Sequence, residues 1–277
     1  MSGNKAIMEA AAHQKHTYEY GPGGQFVSYY KTGTGPPLLI LHGWGSRASV
    51  MLPLANALSD IRTCYIPDLP GFGDSPPPTT PWNVDNYVDL ASSFSSSIAG
   101  EPIDVLAHSF GGRIVLKWCC LQEAKELLNK VVVTGGAGMK PRRSLSYYRR
   151  RISATVLKAP FLLLPEKLRN RALERLRRSR LWKSLGSSDY SRLEGTMRET
   201  FVRTVSEHLE SCLPEIHQEI FLLWGKGDDA TPWYQAERME KGLRNGTLVG
   251  IDQAGHYAFL DQPVRFTRIV RAYLDPA

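Results

Sequence analysis

The pentapeptide Ala107-His108-Ser109-Phe110-Gly111 has the spacing of small residues that an exposed serine nucleophile requires. It follows an apolar run at 103–107 and precedes a helical pattern at 113–120. At a sharp strand-to-helix turn, a large side chain two residues before or after the serine would collide with the neighbouring backbone. Alanine and glycine at those two positions avoid the collision. The pattern therefore predicts that Ser109 presents its hydroxyl group as a nucleophile.

A serine hydroxyl is a weak nucleophile at neutral pH, so this chemistry also needs a general base and a group that orients the base. The chain has seven histidines. His108 adjoins the serine, where the turn is expected to point its ring away from the face of the nucleophile. His256 lies in a loop after the last predicted strand. Two adjacent carboxylates, Asp228 and Asp229, follow the strand predicted at 219–224 and are both candidates for the orienting group.

Apolar runs and helical patterns alternate along most of the chain. The run at 37–41 is continuously apolar, which is typical of a strand buried on both faces of a parallel sheet. Such alternation predicts a sheet covered by helices on both faces. The residues before Thr17 are polar and are predicted to be irregular. The predicted strands are 17–20, 26–30, 37–41, 62–66, 103–107, 130–133, 219–224 and 247–251, and the predicted helices are 50–58, 84–98, 113–120, 233–241 and 264–273.

With these motifs in this order, the sequence resembles the α/β-hydrolase superfamily over nearly its whole length. The resemblance implies an α/β-hydrolase fold, with a mostly parallel eight-stranded sheet flanked by helices and an inserted helical cap. Four motifs in the family's order and spacing are more specific than the serine motif alone. Besides that motif, the matching segments are His42-Gly43-Trp44-Gly45, the run from Asp68 to Ser75, Gly225-Lys226-Gly227-Asp228 followed by Pro232, and Gly255-His256.

The resemblance also implies a role for each residue of the site. His256 takes the place of the family's base, and Asp228 matches the spacing of its acid, with Asp229 as the second choice. Some relatives carry the acid after an earlier strand, but the corresponding site here, 134–136, has no carboxylate. The backbone N–H groups of Trp44 and Phe110 correspond to the family's oxyanion hole.

Residues 139–213 lack the rhythm of strands and are predicted to form the helical cap, between core segments 1–138 and 214–277. Between Lys140 and Lys183 there are 15 Lys and Arg but only two Glu, a net charge of +13 in a chain whose total is +7. From Pro165 a helix with an apolar side and an arginine-rich exterior is predicted. This exterior is either a solvated helix face or a docking surface for an acidic partner or an anionic membrane.

Composition adds several exclusions. No apolar run reaches the roughly 20 residues that span a bilayer, and the first residues lack the apolar core of a signal peptide, so a cytoplasmic location is expected. The four cysteines match no zinc or redox motif and are expected to be buried, reduced thiols. No metal-ligand cluster, phosphate-binding glycine loop or nucleic-acid recognition motif is present, so neither a cofactor nor a nucleic-acid partner is expected.

The expected activity is hydrolysis of a small-molecule carboxylic ester through an acyl-enzyme. A serine at position 109, where relatives that open epoxides or displace halide carry aspartate, favours acyl chemistry. Two enzyme alternatives remain, a carbon–carbon bond hydrolase of the meta-cleavage-product type and an acyl-carrier-protein methyl ester esterase. A third alternative is a non-catalytic small-molecule receptor on the same fold. The natural substrate, its acyl length and the oligomeric state are not encoded in these motifs.

Overall fold

The structure is a computed structural model. It describes residues 14–21, 23–99, 102–142 and 193–275, together with scattered positions between 153 and 176. Most of the predicted cap, including most of its arginine-rich helix, lies outside the described residues, so the division into 139–213 and a core stays a prediction. At the scattered positions the chain is helical except at Pro165, whose carbonyl accepts a 2.8 Å hydrogen bond from the Arg169 N–H.

One eight-stranded sheet forms the centre of the protein. Its strands, in chain order, are β1 (Gln14–Tyr20), β2 (Gln25–Thr32), β3 (Pro37–Leu41), β4 (Thr63–Pro67), β5 (Ile103–His108), β6 (Leu128–Thr134), β7 (Ile220–Gly225) and β8 (Gly246–Ile251). Their order across the sheet is β1-β2-β4-β3-β5-β6-β7-β8. β2 pairs antiparallel with β1 and β4, and all other neighbours are parallel. The predicted mostly parallel eight-stranded sheet is confirmed.

Helices connect the strands and cover the sheet. Those with described bounds are α1 (Ala48–Leu58), α2 (Val84–Ile98), α3 (Phe110–Cys119), α4 (Ala124–Leu127), α5 (Gly195–Ser206), α6 (Trp233–Gly242), α7 (Ala258–Asp261) and α8 (Pro263–Leu274), and a 3₁₀ turn spans Leu213–Glu215. The alternating side chains of the central strands divide between two buried apolar clusters. One cluster includes residues of α2, α3 and α6, and the other includes residues of α1, α7 and α8. The sheet is thus covered on both faces, as continuous apolar strands require.

The element bounds differ from the sequence prediction at two instructive places. β1 begins at Gln14, three residues before the predicted start, so His16 lies in a strand. Its ring stacks on that of Tyr29, with the two ring centroids 5.1 Å apart. α3 begins at Phe110, directly after the serine, whereas the helical pattern was expected to start at Arg113. The two glycines at 111 and 112 weaken the local helix signal but are needed for packing, as described below.

The expectation that all four cysteines are reduced is wrong for one pair. Cys120, at the end of α3, forms a disulfide with Cys212, and their Cα atoms are 6.0 Å apart, a separation normal for such a bond. Cys64 and Cys119 are buried free thiols, as expected. The two bonded cysteines are 92 residues apart in sequence, and their spacing carries no motif that would reveal the pairing.

In the part of the chain that the structure describes, no helix combines the length and apolarity needed to cross a membrane.

Candidate active site

Ser109 occupies a strained bend between β5 and α3. Its backbone has a φ of 53° and a ψ of −108°, a left-handed conformation that few residues other than glycine adopt. Such a conformation costs about 1–3 kcal/mol and persists only where the surrounding structure enforces it. Here the Ser109 N–H donates to the Thr134 carbonyl at 3.0 Å, and its own carbonyl accepts from the Ala137 N–H at 2.9 Å. The bend predicted from the sequence is present.

The glycines after the serine allow α3 to lie close to its neighbours. A Cβ atom at Gly111 would lie 2.6 Å from the Leu41 carbonyl oxygen, and one at Gly112 would lie 2.9 Å from the Cα of Gly136. Both distances are below any normal contact, so neither position accepts a side chain without movement of the backbone. Gly111 also donates its N–H to the His42 carbonyl at 3.2 Å, which ties the start of α3 to the loop after β3.

His256 and Asp228 are joined by a hydrogen bond. The His256 Nδ1 lies 2.9 Å from the Asp228 Oδ2. Asp228 Oδ1 accepts from the N–H groups of Ala230 and Thr231 at 2.9 and 2.8 Å, and the Thr231 hydroxyl lies 2.8 Å from Oδ2. Because Asp228 is an acceptor, this bond places a proton on Nδ1 and leaves Nε2 available as the base.

The charge state of Asp228 follows from its partners. Burial by itself would raise the pKa of this carboxyl, but the hydrogen bonds from His256 and Thr231 outweigh burial and lower the pKa below its ordinary value. Asp228 is therefore ionised at neutral pH and can stabilise a protonated His256. The adjacent Asp229 is exposed. Of the two aspartates, it is Asp228 that has a described contact with His256.

Two supporting residues of the His256–Asp228 pair were missed by the sequence reasoning. Gly135, in the loop after β6, has a φ of 55°, and a Cβ there would lie 3.0 Å from the His256 Nδ1. A glycine with this conformation lets the imidazole lie against the backbone. Thr231 has a local signal, because a hydroxyl three residues after an aspartate can close a turn with it. Gly135 has none, since its contact spans 121 positions of sequence.

The loop after β3 lies against the serine. A Cβ at Gly43 would lie 3.0 Å from the Ser109 Cβ. His42, fully buried, holds this loop, because its Nε2 accepts from the Leu69 N–H at 3.0 Å and its Nδ1 donates to the Gly43 carbonyl at 2.8 Å. Burial lowers the pKa of His42, which agrees with a neutral ring in this arrangement. The backbone of the predicted oxyanion loop is therefore fixed beside the nucleophile.

The two predicted oxyanion donors are Phe110, which directly follows the serine, and Trp44, which directly follows the Gly43 that lies against the serine. Among the described residues, no hydrogen-bond partner is found for the backbone N–H of Trp44 or of Phe110. Phe110 is the first residue of α3, and the first N–H groups of a helix have no partner within it. The Trp44 ring packs against three other aromatic rings. The distances between ring centroids are 4.9 Å to Phe72, 5.2 Å to Phe110 and 5.1 Å to Phe201 on α5. This aromatic packing holds the Trp44 backbone in place.

These loops all follow the carboxyl ends of strands β3, β5, β6, β7 and β8, which is where open α/β sheets bind their ligands. The loops thus bring the five predicted site residues to the edge of the sheet that the carboxyl ends of the strands form. These residues are Ser109, Asp228, His256, Trp44 and Phe110. Among the described residues, no group of three or more His, Cys, Asp or Glu side chains could hold a metal ion.

The comparisons with known proteins agree with this architecture. A family model described as the alpha/beta hydrolase fold matches residues 36–263. The chain therefore belongs to the alpha/beta hydrolase fold family. A pimeloyl-acyl-carrier-protein methyl ester esterase from Nitrosomonas europaea is 24% identical over 250 residues, which cover 85% of this chain and 94% of that protein.

Solved structures show the same fold at low identity. An esterase from Exiguobacterium antarcticum superimposes with a TM-score of 0.70 at 20% identity, covering 93% of this chain and 98% of the other. A meta-cleavage product hydrolase has a TM-score of 0.68 at 18% identity, covering 95% and 98%. Of these three proteins, two are named as esterases and one as a meta-cleavage product hydrolase.

Proposed function

We propose that the protein is a serine hydrolase that cleaves a carboxylic ester through an acyl-enzyme. His256 Nε2 removes the proton of the Ser109 hydroxyl as its oxygen bonds to the ester carbonyl carbon. The N–H groups of Trp44 and Phe110 stabilise the negative oxygen of the tetrahedral intermediate. His256 then protonates the leaving alcohol, and Asp228 stabilises the charged imidazole throughout. Water, deprotonated by His256, attacks the acyl-enzyme and releases the acid.

One observation carries this proposal. Ser109 is held in a left-handed backbone conformation directly beside a loop in which the Trp44 N–H has no described partner, and the buried Asp228 with its half-buried partner His256 lies at the same edge of the sheet. A serine that only capped a helix would not require a strained conformation, and it caps no N–H of α3 with its side chain. Strain of this kind is concentrated at functional sites.

Substitution of the nucleophile tests the proposal directly. Ser109→Ala should lower kcat for p-nitrophenyl butyrate by about 10⁶-fold, to below detection, and should abolish labelling by a fluorophosphonate probe. The matched control is Ser96→Ala, which removes the hydroxyl of an exposed serine on α2. Retained hydrolysis or labelling in Ser109→Ala would show that another residue is the nucleophile. A single turnover by the unmodified protein would instead favour a receptor on this fold.

A methyl ester carried on an acidic carrier protein is the second candidate substrate. The relative from Nitrosomonas europaea is named for that activity, and the net charge of +13 between Lys140 and Lys183 would favour an acidic partner. Neutralising Arg175, Arg177 and Arg178 together should then raise KM for an acyl-carrier methyl ester and leave KM for p-nitrophenyl butyrate unchanged. Equal effects on both substrates would contradict this candidate and leave the basic segment as a solvated helix face.

A substrate panel separates the remaining reactions. p-Nitrophenyl esters of increasing chain length, an acyl-carrier methyl ester and a meta-cleavage product should be compared by kcat/KM. We expect the esters to be preferred. A preference for the meta-cleavage product would assign the same serine site to carbon–carbon bond hydrolysis.

A further inference from the structure

His108, the last residue of β5, connects the serine to the loop that carries the base. Its ring is buried, with 1% of its surface exposed. The His108 Nε2 lies 3.0 Å from the backbone carbonyl oxygen of His256, and the two ring centroids are 4.7 Å apart. Because a carbonyl only accepts hydrogen bonds, the His108 Nε2 carries the proton. The nucleophile and the base are therefore linked through the residue that precedes the nucleophile.

The other side of the His108 ring faces the oxyanion loop. A Cβ at Gly43 would lie 3.0 Å from the His108 Nδ1, and this nitrogen has no hydrogen-bond partner among the described residues. The rings of Tyr257 and Phe259 enclose the imidazole, with centroids at 4.8 and 5.3 Å. His108 thus lies between the oxyanion loop and the His256 loop and contacts both.

The His108 ring is uncharged at neutral pH. Burial, together with the nearby His256, lowers the pKa of His108 to about 3. A neutral neighbour matters here because His256 becomes positively charged when it removes the serine proton, and a second positive charge at this distance would oppose that step.

We propose that His108 is a positioning residue that fixes the backbone of His256, and with it the distance from the base to Ser109, through its Nε2–H. This inference rests on the proposed serine mechanism. A base displaced by about 1 Å can lower a rate by about 100-fold without changing ground-state binding. The loop between β8 and α7 carries His256, so a fixed point on its carbonyl restricts the movement that would matter most.

Matched variants separate hydrogen bonding from packing. His108→Gln keeps a donor at about the reach of Nε2, whereas His108→Leu fills similar space without one. We expect His108→Leu to lower kcat for p-nitrophenyl butyrate by about 10- to 100-fold with KM changed by less than about 3-fold. His108→Gln should recover most of the loss, and the rate of fluorophosphonate labelling should follow the same order. Phe94→Leu, which alters a buried ring on α2 whose described ring contacts are with Tyr18 and Tyr29, should leave kcat unchanged.

The outcomes distinguish this inference from the proposed function. Equal losses in His108→Leu and His108→Gln, or an unchanged kcat in both, would overturn the positioning role even when Ser109→Ala is inactive. Activity in Ser109→Ala would instead overturn the mechanism itself. If His108→Leu does not fold, His108→Asn replaces it, because its shorter amide cannot reach the His256 carbonyl. Wild-type kcat in His108→Asn would equally refute the role.

Discussion

Two adjacent aspartates in the loop after β7 have different environments. Asp228 is buried and bonded to His256 and Thr231, and its pKa is lowered by those bonds despite burial. Asp229 is exposed. A carboxylate that accepts from Nδ1 fixes the ring tautomer that leaves Nε2 free as the base, and an amide in its place would favour the wrong tautomer. The two positions should therefore respond differently to the same substitution.

We expect Asp228→Asn to lower kcat for p-nitrophenyl butyrate by about 10⁴-fold, because the amide would favour the wrong tautomer of His256. Asp229→Asn is the matched control and should change kcat by about 2-fold or less, as substitutions at exposed loop positions usually do. Steady-state kinetics measure both, and circular dichroism shows whether each variant is folded. The reverse ranking would assign the orienting role to Asp229.

At the level of single residues, the sequence is informative where chemistry leaves a local signature. Ser109 is marked by the small residues around it, and His256 and Asp228 by the glycines that precede them. The supporting contacts have no such signature. His108 and His256 are 148 residues apart, and their contact exists only because β5 and the loop after β8 end at the same edge of the sheet.

One face of α3 bonds to the end of α5 and to the segment that follows it. Arg113 donates to the Glu207 carbonyl at 2.9 Å and to the Thr204 carbonyl, and one turn later Lys117 pairs with the Glu207 carboxylate. Residues at i, i+4 and i+7 lie on one helix face, and the third position of this series is Cys120, bonded to Cys212. The helix that begins directly after Ser109 is thereby fixed at its far end.

We expect the disulfide to be measurable by thiol titration in denaturant without reductant. Two thiols should react, from Cys64 and Cys119, and four after reduction. Since the bond closes a 92-residue separation, its reduction should lower the free energy of unfolding by about 2–4 kcal/mol. In Cys120→Ala, reductant should no longer change Tm. Four reactive thiols in the untreated protein would contradict the pairing.

The secondary structure was predictable to different degrees for physical reasons. β3 and α2 have the predicted bounds, because an apolar run and a helical repeat each end at a clear change of pattern. The four-residue α7 was not predicted, since one helical turn carries too little periodicity to be recognised. The pairing of Cys120 with Cys212 depends on the tertiary path of residues 195–213 and has no local cause.

The carboxyl and amino ends of the strands differ in their role: one end bears the candidate site and the other bears contacts that stabilise the fold. The carboxyl ends of the strands bear the candidate site. At the amino end of β5, Asp104 is buried and accepts hydrogen bonds from the Arg62 Nε at 2.9 Å and the Asn129 Nδ2 at 2.8 Å. Arg62 and Lys130 in turn donate to the Leu274 carbonyl at the end of α8. Asp104 therefore helps to hold the last helix against the sheet.

This separation predicts that stability and activity can be changed independently. Asp104→Ala should lower the free energy of unfolding by about 3–5 kcal/mol, because Arg62 would remain buried without its carboxylate. Asp60→Asn, which breaks an exposed ion pair with Arg271, is the control and should leave Tm nearly unchanged. Denaturant unfolding measures the first effect, and kcat well below Tm should match the wild type in both variants. A large loss of kcat in folded Asp104→Ala would mean that the amino end of β5 is coupled to Ser109, which directly follows the same strand.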